Sequence, residues 1–164
     1  MPAPIRIATS LWFDDQAEEA AQFYVSLLPD SRIVEVARYG PGAPRPEGSV
    51  MTVDFVLGGQ NFNALNGGPD FKFTEAASIL VLCDSQAQVD RLWDTLTADG
   101  GEPSMCGWLK DRYGLSWQIV PVALTEMLSD PDRRKAQRVM EAMLQMTKIE
   151  VPELQRAYDG PGAG

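Results

Sequence analysis

Apolar and polar positions follow the same succession twice along this chain. The run "IRIATSLWF" reads as a strand, and "DDQAEEAAQFYVSLL" as the helix after it, with Asp15 as cap and Glu18 three residues on in a capping-box arrangement. Ala17, Ala20, Ala21, Tyr24, Leu27 and Leu28 recur at helical spacing, and Pro29 stops the helix. "SRIVEVARYG" is a second strand and "PGAPRPEG" a loop, too rich in proline and glycine for a strand interior. "SVMTVDFVLGG" and "QNFNALNGG" are third and fourth strands, joined by a hairpin at Gly58-Gly59. The order then restarts. "ASILVLCDSQAQVDRLWDTLTADGG" predicts a strand, a capped helix buried through Val89, Leu92, Trp93 and Leu96, and a glycine stop. A short strand near Glu102 and Ser104, a strand "MCGWLKD", a turn "RYG" and a strand "LSWQIVP" complete the second set.

The restart has a residue-level echo. "FDDQA" at 13–17 matches "CDSQA" at 83–87, and "GQNFNAL" at 59–65 lies against "GLSWQIV" at 114–120. Phe62 then meets Trp117, and Asn63 meets Gln118. Matches in the same order as the elements predict two βαβββ modules, at about 5–68 and 75–122, in one domain over 1–122. From 123 to 164 the chain predicts a helical tail. "SDPDRRKAQRVMEAMLQMTK" has Asp130 as cap and Pro131 at the first helical position. Its stripe of Ala136, Val139, Met140, Met143 and Leu144 packs on the domain or contacts a second subunit. Pro152 starts a last short helix, and "PGAG" is a fraying end.

Composition narrows the chemistry. The formal charge of −9 argues against a nucleic-acid partner. No apolar run approaches the roughly 20 residues that cross a bilayer, and "MPAPIRIATS" has no signal-peptide pattern. With two cysteines, Cys83 and Cys106, the expected compartment is the cytoplasm. The chain has no histidine. A Ser–His–Asp triad, a Cys–His dyad and a His-ligated zinc site within one chain are thereby excluded.

"LWFDDQAEEAAQFYVSLLPDSRI", "LNGGPDFKFTEA" and "CGWLKDRYGLSWQIVP" resemble the PhnB-like branch of the vicinal oxygen chelate superfamily, which includes glyoxalase I, bleomycin-resistance proteins and extradiol dioxygenases. Members of the branch sometimes carry the label 3-demethylubiquinone-9 3-methyltransferase. The resemblance runs from Ile5 to Pro121 and implies an α+β fold of paired βαβββ modules, curled as a mixed sheet around a cavity, often in a homodimer. In metal-using members the ligands come from the first and last strands of each module. Carried over, those positions fall near Ala8 (or Ser10), Ser78, Asn63 and Gln118, with Thr52 and Asp54 also candidates for the cavity face. Here the chain departs from the family pattern. Alanine, serine and amide side chains hold divalent ions weakly, so no metal or other cofactor is expected.

The site candidates each have two readings. Asn63 and Gln118 hydrogen-bond a small ligand, or each other or the backbone. Ser10 and Ser78 orient a ligand, or ease strand packing. Trp12 and Trp108 wall a cavity or pack in the core, whereas alternation puts Trp117 on the helix-packed face. Cys106 is a soft nucleophile, if Lys110 or Arg112 approaches it, or an inert thiol. Asp54 is a general base if burial favours its protonated form, or a solvated strand residue. "LNGGP" is a turn rather than a phosphate loop, and no glycine-rich strand-to-helix turn of the kind a Rossmann-type methyltransferase needs is found. The expected function is binding of a small molecule without a catalytic metal. The alternatives are a glyoxalase-like lyase, isomerase or oxygenase with an atypical metal or acid–base site, and a dimeric interaction protein acting through its tail.

Overall fold

The structure is a computed structural model that describes residues 1–162, so the last two residues of the expected fraying end, Ala163 and Gly164, lie outside the described residues. The chain forms two compact units, 1–72 and Phe73 onward. The first holds β1 (Thr9–Phe13), α1 (Ala17–Leu27), β2 (Arg32–Arg38), β3 (Val50–Leu57) and β4 (Gln60–Asn66). The second holds β5 (Ser78–Cys83), α2 (Gln86–Thr97), β6 (Glu102–Pro103), β7 (Trp108–Lys110) and β8 (Ser116–Pro121). It continues into α3 (Val122–Leu128), α4 (Arg133–Met143) and α5 (Val151–Asp159).

Each unit builds one four-stranded mixed sheet, and the two sheets have the same order, β1-β4-β3-β2 and β5-β8-β7-β6. In each, the first strand runs parallel to the last and the other pairs are antiparallel. The α+β class and the βαβββ repeat read from the sequence are therefore observed. The β3–β4 hairpin closes at Leu57↔Gln60, with φ of +55° at Gly58 and +80° at Gly59, as a two-residue turn with both centres left-handed requires.

Alternation gives each sheet one apolar face. In the first unit Leu11, Phe13, Val53, Phe55, Phe62 and Ala64 are buried, as are Ala17, Ala20, Ala21 and Tyr24 of α1. Phe55 and Phe62 are cross-strand partners with stacked rings 5.3 Å apart. In the second unit the α2 stripe of Val89, Leu92, Trp93 and Leu96 is buried as predicted, and so are Leu109, Trp117 and Ile119. Trp117 is fully buried, which agrees with its expected core role. In the tail, Leu124, Val139, Ile149 and Leu154 form a buried cluster flanked by Met127, Met143 and Met146. Only part of the methionine-rich stripe is spent there, because Met140 and Leu144 are exposed.

Two caps differ from expectation. α1 starts after Gln16, and neither Asp15 nor any other local side chain caps it. Its first amide, at Ala17, instead donates to Oδ1 of Asn66 at the end of β4 (2.8 Å). Asn66 is buried, and its Nδ2 donates to the Val50 carbonyl. A residue distant in sequence therefore does the work of a cap and ties the helix to the sheet. In the tail the cap is Asp132, not Asp130, since the Asp132 side chain accepts from the Arg134 amide. Asp130 instead accepts from the Asp132 amide and from the Tyr158 hydroxyl.

Candidate functional site

On the face of the first sheet opposite the Phe55–Phe62 core, register places Ser10, Asn63 and Asp54 side by side on β1, β4 and β3. They form one hydrogen-bonded row. Ser10 Oγ donates to Asn63 Oδ1 (3.1 Å), and Asn63 Nδ2 donates to Asp54 Oδ1 (2.6 Å). Asp54 is exposed, so the burial that a general-base role requires is not provided by this strand. Trp12 comes two residues after Ser10, but its indole is engaged. Nε1 donates to the Gly68 carbonyl (2.8 Å), and the ring meets Phe71 edge-on at 4.9 Å. Gly67 lies beneath this indole so closely that a Cβ there would come within 2.3 Å of the ring. The amides of Gly67 and Gly68 bond the carbonyls of Phe13 and Asp14, so the start of "LNGGP", expected to be a turn, continues the pairing of β4 with β1, and no helix follows it.

The second sheet has the corresponding face. Trp108 is the cross-strand partner of Gln118, and Lys110 that of Ser116. Gln118 Nε2 donates to Ser78 Oγ at 2.9 Å. In both units, then, the amide of the last strand is bonded to a serine of the first, not to the other amide or to backbone. Beside β7 lies a cavity of about 380 Å³ lined by Glu75, Ser104, Met105, Cys106, Trp108, Leu109, Lys110 and Ser116.

The rim of this cavity departs from the expected strand "MCGWLKD", because β7 begins only at Trp108. Cys106 has φ +59° and Gly107 φ +82°, a left-handed pair that turns the chain. The turn is held by the segment between α4 and α5, since the Cys106 and Gly107 amides donate to the carbonyls of Met146 and Thr147, both at 2.8 Å. The cations proposed to activate the Cys106 thiol are engaged elsewhere, Lys110 with Glu75 and Arg112 with Asp99. The bond from Lys110 holds the Glu75 carboxyl below the usual carboxylate range and lifts the ammonium above its ordinary value.

Two residues that matter here escape the sequence reading. Asp111 is 2 % exposed and ties the β7–β8 turn together. Its Oδ1 accepts from the amides of Tyr113 (2.8 Å) and Leu115 (3.1 Å), and its Oδ2 from Trp117 Nε1 (2.8 Å). The available signal is an aspartate just ahead of a tyrosine–glycine turn, where its side chain mimics a backbone acceptor. Ser116 is 1 % exposed, and its Oγ has no hydrogen-bond partner in the protein. Nothing in the local sequence marks it.

The residues that the family resemblance puts near metal positions, Ser10, Ser78, Asn63 and Gln118, with Asp54 beside them, do not fit a tightly held transition metal. They offer neutral oxygens, already bonded to one another, and one exposed carboxylate. Among the described residues no group of three His, Cys, Asp or Glu side chains is placed to hold a metal ion.

Comparison with known proteins agrees with this fold. A family model described as 3-demethylubiquinone-9 3-methyltransferase matches residues 5–120. A solved structure of a Bacillus cereus PhnB protein bearing the same enzyme name is 36% identical, with a TM-score of 0.65 over 71% of this chain and 99% of its own. The chain belongs to this PhnB-like family. Its tail lies beyond the part that the family model matches. Two more distant structures share the fold with the PhnB-like chain. A Pseudomonas aeruginosa protein is 23% identical, with a TM-score of 0.58 over 72% of this chain and 98% of its own. The fosfomycin resistance protein FosX of Listeria monocytogenes is 14% identical, with a TM-score of 0.54 over 79% and 100%. At these identities the two neighbours show a shared fold and nothing further. No curated protein matches it. No helix of the described residues is long and apolar enough to cross a membrane.

Proposed function

We propose that this protein binds a small organic molecule in the cavity beside Trp108, on the face of the second sheet that also carries Gln118 and Ser78, without a catalytic metal. The observation that carries the reading is the 380 Å³ cavity walled by Trp108, Met105 and Leu109. It joins an apolar wall to a few polar groups, which is the make-up of a ligand pocket. Ser10, Asn63 and Asp54 form a second polar row, on the first sheet, that suits hydrogen bonding more than proton transfer. The methyltransferase name of the family is not carried over as an activity. Both sheets are mixed, and the turn from β1 into α1, "DDQ", has none of the glycines that let a cofactor phosphate or ribose approach the backbone.

The protein acts as a homodimer in the cytoplasm in this reading. Leu80 and Leu82 on edge strand β5, and Met140 and Leu144 on α4, are exposed apolar residues that a second copy would cover. Two free thiols suit a reducing compartment. The test is a thermal-shift screen of small aromatic and aliphatic compounds, repeated on Trp108→Ala and Gln118→Ala. Stabilisation of the native chain that both variants lose supports the site. Metal at one equivalent per chain after purification, with turnover of methylglyoxal–glutathione adducts, would replace it with a glyoxalase-like enzyme.

A further inference from the structure

The cavity beside β7 contains two polar groups with complementary needs. Ser116, one of the residues that line the cavity, is buried with an unpartnered hydroxyl, and burying a hydroxyl unbonded is costly. Its cross-strand partner on the same face, Lys110, has its ammonium on Glu75, which lies in the connector before β5. The Glu75 side chain is 63% exposed and that of Lys110 38%, so solvent screens the pair and can replace it. Glu75 also lines the cavity.

We propose that the cavity binds a small aromatic carboxylate, which takes the place of Glu75 on Lys110 and accepts a hydrogen bond from Ser116. One ligand oxygen takes the ammonium and the other takes the hydroxyl, while the ring lies against Trp108 and Met105. Glu75, in a connector and not in the sheet, swings to water. The chain carries a net charge of −9, and its overall field opposes anions. Exchange meets that difficulty, because one carboxylate replaces another and the charge around Lys110 is unchanged. The inference rests on the small-molecule reading above and names the ligand class of the same site.

The test titrates the intact protein with trans-cinnamate and with its neutral isostere cinnamamide. Tryptophan fluorescence reports binding, and protection of Cys106 from a thiol reagent reports the place. Cys83 is buried and serves as the unreactive reference. Cinnamate is expected to bind about tenfold more tightly than cinnamamide, the range of one charge-assisted hydrogen bond. Glu75→Gln should tighten cinnamate several-fold and leave cinnamamide unchanged, since it removes only a competitor. Lys110→Gln should erase the preference. Ser116→Ala should weaken cinnamate while leaving the melting temperature at or above that of the native chain, as no protein hydrogen bond is lost. Equal binding of acid and amide, or no gain in Glu75→Gln, overturns the carboxylate exchange and leaves the small-molecule reading in place. If neither compound binds or protects Cys106, and the broader screen also finds no ligand, both fall.

Discussion

Replacing Asp111 by asparagine tests what holds the second sheet's site in shape. The carboxylate accepts hydrogen bonds at Oδ1 from two turn amides, of Tyr113 and Leu115, and at Oδ2 from the Trp117 indole. Asparagine has the same shape but one acceptor oxygen. If that oxygen replaces Oδ1, the new NH₂ group faces the indole N–H, donor against donor. If the amide flips, it faces the two backbone amides instead. Either way at least one bond to a charged acceptor is lost, at about 1.5–3 kcal/mol, and a buried donor is left unmatched, at about 1–3 kcal/mol. Allowing for local relaxation, a net loss of about 2–4 kcal/mol follows, a large part of the roughly 5–15 kcal/mol by which a domain is stable. At about 2–4 °C per kcal/mol for a chain of this size, the melting temperature should drop by about 4–16 °C. Circular dichroism in the far ultraviolet reads the melt, and the near-ultraviolet tryptophan band reads the indole. Trp117→Phe removes the opposing donor, so Asp111→Asn should cost less in that background, with a coupling of about 1–2 kcal/mol. A loss below about 0.5 kcal/mol, or additive single changes, would refute this account of the turn, since surface substitutions fall in that range.

Asn66→Ala should destabilise the first unit by about 1–3 kcal/mol in urea unfolding, because it uncaps α1 and strands the Val50 carbonyl. Gly67→Ala should push the Trp12 indole off its seat and break its bond to Gly68, seen as a red-shifted tryptophan emission with no change in far-ultraviolet signal. The contact of Asp130 with Tyr158 should loosen the tail at both ends of the pH scale. The hydrogen bond from Tyr158 depresses the Asp130 carboxyl, so its contribution is complete above about pH 4 and is lost as pH falls through the lowered value. The same bond raises the Tyr158 hydroxyl, so that contribution is complete below about pH 10 and is lost as pH rises through the raised value. Hydrogen exchange of α5 should show both limbs in the native chain and no alkaline limb in Tyr158→Phe. Light scattering at micromolar concentration should give twice the chain mass, and Leu80→Glu with Leu82→Glu should halve it.

The repeat was legible because it is written in neighbouring residues. "FDDQA" and "CDSQA" mark the same strand-to-helix step, and alternation in "GLSWQIVP" correctly sends Trp117 inward. It also sets Gln118 on the opposite face beside Trp108. What stayed illegible depends on partners far away in the chain. The α1 cap lies 49 residues from the amide it serves, so local pattern pointed to Asp15 instead. Asp130 and Asp132 both fit the cap chemistry, and only the backbone around them decides between the two. Ser116 reads as one more small polar strand residue. Its interest comes from being buried without a partner, which no short window of sequence encodes.

The turn at Cys106 and Gly107 has a consequence for the order in which the molecule is made. Synthesis runs from the N-terminus, and the carbonyls that receive these two amides belong to Met146 and Thr147, about forty residues further on. The strands of the second sheet all precede that segment in the chain and can pair before it leaves the ribosome. The rim of the cavity cannot be completed without that segment, so the sheet can form while the cavity beside it is still unfinished.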